Sequence, residues 1–159
     1  MGIGYYIYYD LRRLVIFSCI IDLYSRKVVG WSVSDRINKE LVMDSFLKAY
    51  NSRKPNPGLI HHSNRGSQYS SKEFQKLLSN VGAKCSMSGK GNCYDNAVAE
   101  SFFNSLKTES LKEYNFKTRE EAKSVIFAYI EVFYNRVRKH STLNYCSPII
   151  FEQYSEKVA

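Results

Sequence analysis

Leu14-Val15-Ile16-Phe17-Ser18-Cys19-Ile20-Ile21 is an almost unbroken apolar run, and it is followed by Asp22-Leu23-Tyr24-Ser25-Arg26 and then Lys27-Val28-Val29-Gly30-Trp31-Ser32-Val33-Ser34. A strand with one face in water alternates apolar and polar residues, whereas residues 14–21 hardly alternate at all. They therefore predict a strand covered on both faces. Residues 22–25 supply turn chemistry, and 27–34 reads as the returning strand. Upstream, the aromatic and β-branched run at residues 3–9 predicts a further strand, turned back through the polar residues 10–13. Three antiparallel strands in succession form a meander.

The periodicity changes beyond Asp35. Asn38 predicts an N-cap for a helix whose Leu41, Val42, Ser45, Phe46 and Ala49 recur at spacings of three and four, stopped by Lys54-Pro55-Asn56-Pro57-Gly58. Residues 59–62 read as a short strand running into a polar loop, 63–69. Ser70 with Glu73 is expected to cap a helix carrying Phe74, Leu77, Leu78 and Val81 on one side. A fifth strand is predicted at 83–87 and a long helix at 95–111. Thr118 and Glu121 form a second capping box, before a helix with Ala122, Val125, Ile126, Tyr129, Ile130 and Phe133 facing inward. Helices alternating with strands make an α/β domain, predicted as a mixed five-stranded sheet (the meander plus two parallel strands) with packed helices. That order suits the ribonuclease H-like fold.

At 159 residues with 44% hydrophobic and 14% aromatic side chains, the chain has material for one cored domain, which excludes intrinsic disorder. No apolar run approaches the roughly 18 residues of a membrane span, and the Met1 end lacks the pattern of an export signal. Lys and Arg total 23 against 15 Asp and Glu, a net charge of +8 that favours a polyanionic partner, nucleic acid before a membrane surface. Cys19, Cys85, Cys93 and Cys146 lie far apart with no paired spacing, so neither a zinc site nor a disulfide framework is expected, and a reducing cytoplasm fits.

On the helix predicted at 95–111, Val98, Phe102 and Leu106 form the core stripe. Glu100 and Lys107 fall nearly opposite it, one above the other after two turns. Glu100 is thus turned away from the core, in the company of Asp95, Asn96, Lys90 and Lys107.

Four motifs then carry a resemblance. Residues 21–31, IDLYSRKVVGW, are similar to the IDLxSRxVVGW stretch of the integrase-core transposases of bacterial insertion sequences, of the two-frame (orfA/orfB) family. Residues 61–69, HHSNRGSQY, resemble its HHSDxGSQY segment, and 90–103, KGNCYDNAVAESFF, its KGNCxDNAxxESFF helix. Tyr134-Asn135-Arg136, Arg138, His140-Ser141, Leu143, Tyr145 and Ser147-Pro148 match its closing YNxxRxHSxLxYxSP pattern. The motifs run in order and at family spacing over nearly the whole chain.

The resemblance implies a DDE site, in which two aspartates and a glutamate hold two Mg²⁺ ions (or Mn²⁺) for phosphoryl transfer on DNA. Glu100 matches the glutamate and is expected to be its metal ligand. The family's second aspartate, at the Asp of HHSDxGSQY, falls on Asn64. The first falls on Gly4, or on Gly2 if Gly2-Ile3-Gly4-Tyr5 is set against the family's DITY; Asp10 lies too close to the turn to replace it. Two of the three carboxylates are therefore missing, and the domain is expected to be catalytically inactive. It is expected to be a single integrase core over residues 1–159, N-terminally truncated and without the DNA-end-recognition region of a full transposase. Lys90, Lys107, Arg65, Arg136 and Arg138 are the expected DNA contacts. Gly89 stands where relatives more often carry a basic residue.

Each of these residues also has a plainer reading. Arg136, Arg138, Lys139 and His140 could form a solvated helix end, and His61 and His62 pack a strand end rather than bind metal. Asp95 and Asn96 cap a helix. Asp22 either reaches the place of the lost first aspartate or serves the turn, capping it or pairing with Arg26. Two functions are left: a bacterial, cytoplasmic transposase core acting on DNA, inactive here, or a DNA-binding or dimerisation module that meets a second copy or intact transposase copies.

Overall fold

In the computed structural model, which describes residues 15–89 and 97–158, the apolar run forms β1, Ile16–Ile21, with all six side chains buried. Its chain reverses at Asp22. The Asp22 carbonyl accepts from Arg26 N–H at 2.7 Å, Asp22 Oδ1 accepts from Tyr24 N–H at 2.9 Å, and Arg26 takes the left-handed conformation, φ 62°. The return strand β2, Val28–Ser34, pairs antiparallel with β1 from Ile16–Ser34 to Ile20–Gly30. Ile21 then pairs with Val28, so Val29 is bulged out.

The helix α1, Lys39–Arg53, is capped by Asn38, whose side-chain oxygen accepts from Leu41 N–H at 3.0 Å. Its buried residues are Leu41, Val42, Ser45, Phe46 and Ala49, the five the spacing predicts. It ends at Lys54, φ 44°, before Pro55. The helix lies directly on β2: a Cβ added to Gly30 would stand 2.3 Å from Ser45 O and 2.5 Å from Ala49 N. Gly30 is what permits this approach.

The strands β3, Ile60–Ser63, and β4, Lys84–Met87, run parallel, Ile60 opposite Lys84 and Ser63 opposite Met87. Between them α2, Lys72–Asn80, buries Phe74 and Leu78, while Leu77 and Val81 are partly covered. Its cap differs from the expected one. Ser71 accepts from Phe74 N–H at 3.3 Å, whereas Ser70 Oγ turns back to the Ser67 carbonyl, and Glu73 is drawn off by Lys39 Nζ at 2.6 Å. The expected Ser70–Glu73 box therefore does not form.

The helix α3, Ala97–Leu106, continues as a π-helical turn, Lys107–Leu111. The next helix, α4, Arg119–Phe127, starts on Thr118 as predicted, with Thr118 Oγ1 accepting from Glu121 N–H at 3.2 Å. Glu121 reaches back to the N–H of Lys117 at 2.8 Å, one residue further than a standard capping box. It too runs into a π-helical segment, Ala128–Tyr134. This wider turn moves the inward stripe: Tyr134 is buried, and Phe133, predicted to face inward, is 40% exposed. A short 3-10 turn, Ser141–Leu143, leads to α5, Pro148–Val158, which was not predicted; Pro148 at its first position was the available signal.

Among the described residues the strands form two two-stranded ladders, not one five-stranded sheet; the predicted strand at 3–9 lies outside the described residues. The β1–β2 pair separates two cores. Phe17, Cys19 and Ile21 face Ala99, Phe102, Leu106, Ile126 and Ile130, while Ile20 and Val29 face Val42, Phe46, Phe74 and Leu78. Helices thus cover both faces of the strand layer. Among the described residues no helix is long and apolar enough to cross a membrane.

Candidate functional site

Parallel pairing brings the C-terminal ends of β3 and β4 to one edge, where Ser88 N–H donates to the Ser63 carbonyl at 2.9 Å. Asn64 comes directly after β3. Its Oδ1 accepts from Gly66 N–H at 2.9 Å, closing a local turn. A backbone N–H can be met only by the amide oxygen, so this bond fixes the carboxamide and makes its other arm, Nδ2, a donor. Arg65 is exposed, with Nε donating to the Ser88 carbonyl at 2.9 Å. Asn64, Arg65 and Ser88 therefore share this edge.

Glu100 sits in the first turn of α3, where the helix dipole favours a carboxylate, and it is exposed, as the helical spacing predicts. The inward stripe is Ala99, Phe102, Phe103 and Leu106; Lys107 is exposed two turns beyond Glu100. Gly2, Gly4, Asp10, Lys90, Asp95 and Asn96 lie outside the described residues.

These donors do not suit a pair of divalent cations. Asn64 offers an uncharged oxygen already engaged by Gly66, and Glu100 is the one carboxylate at the three expected positions. Among the described residues, no group of three His, Cys, Asp or Glu could hold a metal ion. Asp22 makes no substitute, because Oδ1 serves the turn and Oδ2 lies 3.3 Å from Arg53 Nη2. Of the two plainer readings, Asp22 thus takes the turn-capping one, and its ion-pair partner is Arg53 rather than Arg26. Arg53 also pairs with Glu152, which Lys27 Nζ meets at 3.0 Å, tying α5 to the β1–β2 turn. These cations hold the Glu152 carboxyl below its ordinary range against the opposing effect of burial.

The two histidines pack. His61 is buried among the rings of Phe46, Phe74 and Tyr69, and burial pushes its pKa down to about 3. The ring nitrogens of His62 face Ser86 Oγ at 3.0 Å and Ser88 Oγ at 3.2 Å.

Arg138, expected among the DNA contacts, has its guanidinium engaged within the protein. Nε and Nη2 form a fork on Glu109 at 2.8–3.0 Å, Nη2 reaches Ser105 Oγ at 3.1 Å, and the group lies over the Tyr134 ring. Tyr129 OH donates to Glu109 Oε2 at 2.7 Å, and Arg138 holds the Glu109 carboxyl below its ordinary range. His140 stands edge-on to Tyr134, its pKa lowered to about 4 by burial and then by the Arg138 charge. Arg136 and Lys139 are exposed, Arg136 Nε donating to the Glu131 carbonyl. Glu109 was missed in the sequence because only the fold brings it to Arg138.

An integrase core domain family model matches residues 4–93, and a second family model of the same description matches residues 81–148. The transposase for insertion sequence element IS904 of Lactococcus lactis is 53% identical over 135 residues, covering 85% of this chain and 53% of that protein. The transposase InsF for insertion sequence IS3A of Escherichia coli is 45% identical over 133 residues, covering 84% and 46%. The chain spans about half the length of the curated relatives it matches. Among solved structures, the catalytic core domain of BIV integrase superposes with a TM-score of 0.67 at 18% identity, over 99% of this chain and 95% of that one. The HTLV-2 integrase catalytic core domain in complex with magnesium gives 0.63 at 15% identity, over 94% and 90%. At these identities the likeness is one of fold, the α/β integrase catalytic core.

Proposed function

Because the chain belongs to the integrase core domain family of insertion-sequence transposases, we propose that it is a transposase core that binds DNA but has lost its phosphoryl-transfer chemistry. The observation that carries this reading is the Asn64 carboxamide, held by Gly66 N–H where the family pattern has its second aspartate. An amide offsets none of the charge that accumulates when a DNA phosphodiester is attacked. Loss of one anionic ligand costs on the order of a thousandfold in rate, and Gly4 removes a second. Glu100 alone cannot compensate.

The remaining parts rest on the family. Residues 1–159 are assigned to a single integrase core. Its partner is DNA, reached through the exposed cations Arg65, Lys107 and Arg136 and through Lys90, in the bacterial cytoplasm. A second copy or intact transposase copies are further partners. The net charge of +8 supports the DNA affinity.

Strand nicking of a labelled duplex in Mn²⁺ tests the chemistry. The unmodified chain is expected to leave the duplex intact, and Asn64→Asp combined with Gly4→Asp to restore nicking, with Gly2→Asp as the control for the shifted alignment. Nicking by the unmodified chain that Glu100→Gln abolishes would overturn the proposal.

A further inference from the structure

The exchange of aspartate for Asn64 does more than remove a metal ligand: it reverses the sign of what that position attracts. We propose that Asn64 Nδ2 and the Arg65 guanidinium form a direct phosphodiester-binding site at the end of the β3–β4 ladder, so that DNA is held there without a bridging divalent ion. This rests on the DNA-binding reading above and extends it to a named site.

Three features carry the inference. The bond from Gly66 N–H to Oδ1 fixes the Asn64 amide with its donor arm as the remaining polar group. The bond from Arg65 Nε to the Ser88 carbonyl fixes the stem of the neighbouring guanidinium, and its Nη groups donate to no described residue. Both anchors lie on the same strand edge, since Ser88 comes directly after β4 and Asn64 directly after β3. The result is a pair of adjacent donors already oriented by the backbone, a cationic fork beside a neutral amide, which suits an anionic oxygen. A carboxylate at position 64 would repel the same phosphate unless a cation stood between them.

The variant Asn64→Asp separates these cases without disturbing the turn, because a carboxylate still accepts from Gly66 N–H. Asn80→Asp makes the same change of charge at the end of α2, beside the start of the β3–β4 ladder and so at its opposite end. Affinity for a labelled random-sequence duplex is measured by fluorescence anisotropy, in EDTA and in Mg²⁺ at matched ionic strength. The unmodified chain is expected to bind equally in both. Asn64→Asp should bind about tenfold more weakly in EDTA, the size of a lost hydrogen bond to a charged group, and recover in Mg²⁺. Asn80→Asp should show neither the full loss nor the recovery. Equal losses for the two variants, or binding by the unmodified chain only in Mg²⁺, would overturn the site while leaving the DNA-binding reading intact. No binding in either buffer would overturn both.

Discussion

The carboxamide of Asn135 meets both backbone hydrogen-bonding groups of Val28: Oδ1 accepts its N–H, and Nδ2 donates to its carbonyl, each at 3.0 Å. A single side chain thus does at the first residue of β2 what a paired strand would do. Both residues are buried, so neither bond can be replaced by water.

Replacing Asn135 therefore exposes a mismatch rather than removing one contact. Asn135→Ala leaves two buried backbone groups unmatched and should cost about 2–4 kcal/mol in urea denaturation. Asn135→Asp keeps the acceptor but sets a carboxylate against the Val28 carbonyl, and its cost should shrink as the carboxyl is protonated. An alanine variant as stable as the parent would show that the pair contributes nothing.

At Gly30 the constraint is steric. Gly30→Ala places a methyl group against the backbone of α1 at Ser45 and Ala49, which cannot yield as a side-chain end can. A loss of about 3 kcal/mol or more is expected, read as a fall in the denaturation midpoint.

Acid should destabilise the chain well above the pH at which ordinary carboxylates protonate. His61 and His140 have folded pKa values of about 3 and about 4, both lowered mainly by burial, against about 6.5 unfolded. The unfolded state therefore takes up protons first. The stability from keeping these rings neutral is fully present above pH 6.5 and declines as pH falls toward the folded values. The buried His61 ring contributes a slope of about 1.4 kcal/mol per pH unit within that window, and the half-buried His140 ring less, because solvent screens it. Denaturation midpoints measured between pH 7.5 and 5 test this; a flat profile would contradict a buried, neutral His61.

Arg138 separates structural from DNA-contacting cations. Because its fork is closed on Glu109, Arg138→Ala should lower stability by about 1–2 kcal/mol and change DNA affinity less than Arg136→Ala. The opposite order, in parallel denaturation and binding measurements, would return Arg138 to the DNA surface.

Much of the framework could be read from local signals. The apolar run at 14–21, the Asn38 and Thr118 caps and the five inward residues of α1 all act within a few positions of one another, where spacing and side-chain chemistry suffice. What escaped depends on competition or on distance. Ser70 and Ser71 are both good caps, and the choice turned on Lys39 drawing Glu73 away. The pairs Asn135–Val28 and Arg138–Glu109 join residues that only the fold brings together. At the site, the motif spacing named Asn64, but nothing in the sequence said that its oxygen would be taken by Gly66.

The π-helical segment Ala128–Tyr134 holds about one residue more than ordinary α-helical turns would, which is why Tyr134 and not Phe133 faces inward. Deleting one residue there, such as Val132, would let the segment relax into ordinary α-helical bonding while the chain beyond it stays in place. Asn135 would still meet Val28, Arg138 would still meet Glu109, and the Asn135 carbonyl would keep the N–H of Ile149 near the start of α5. The irregular turn is thus a place where the C-terminal part of the chain can lose a residue and keep its register.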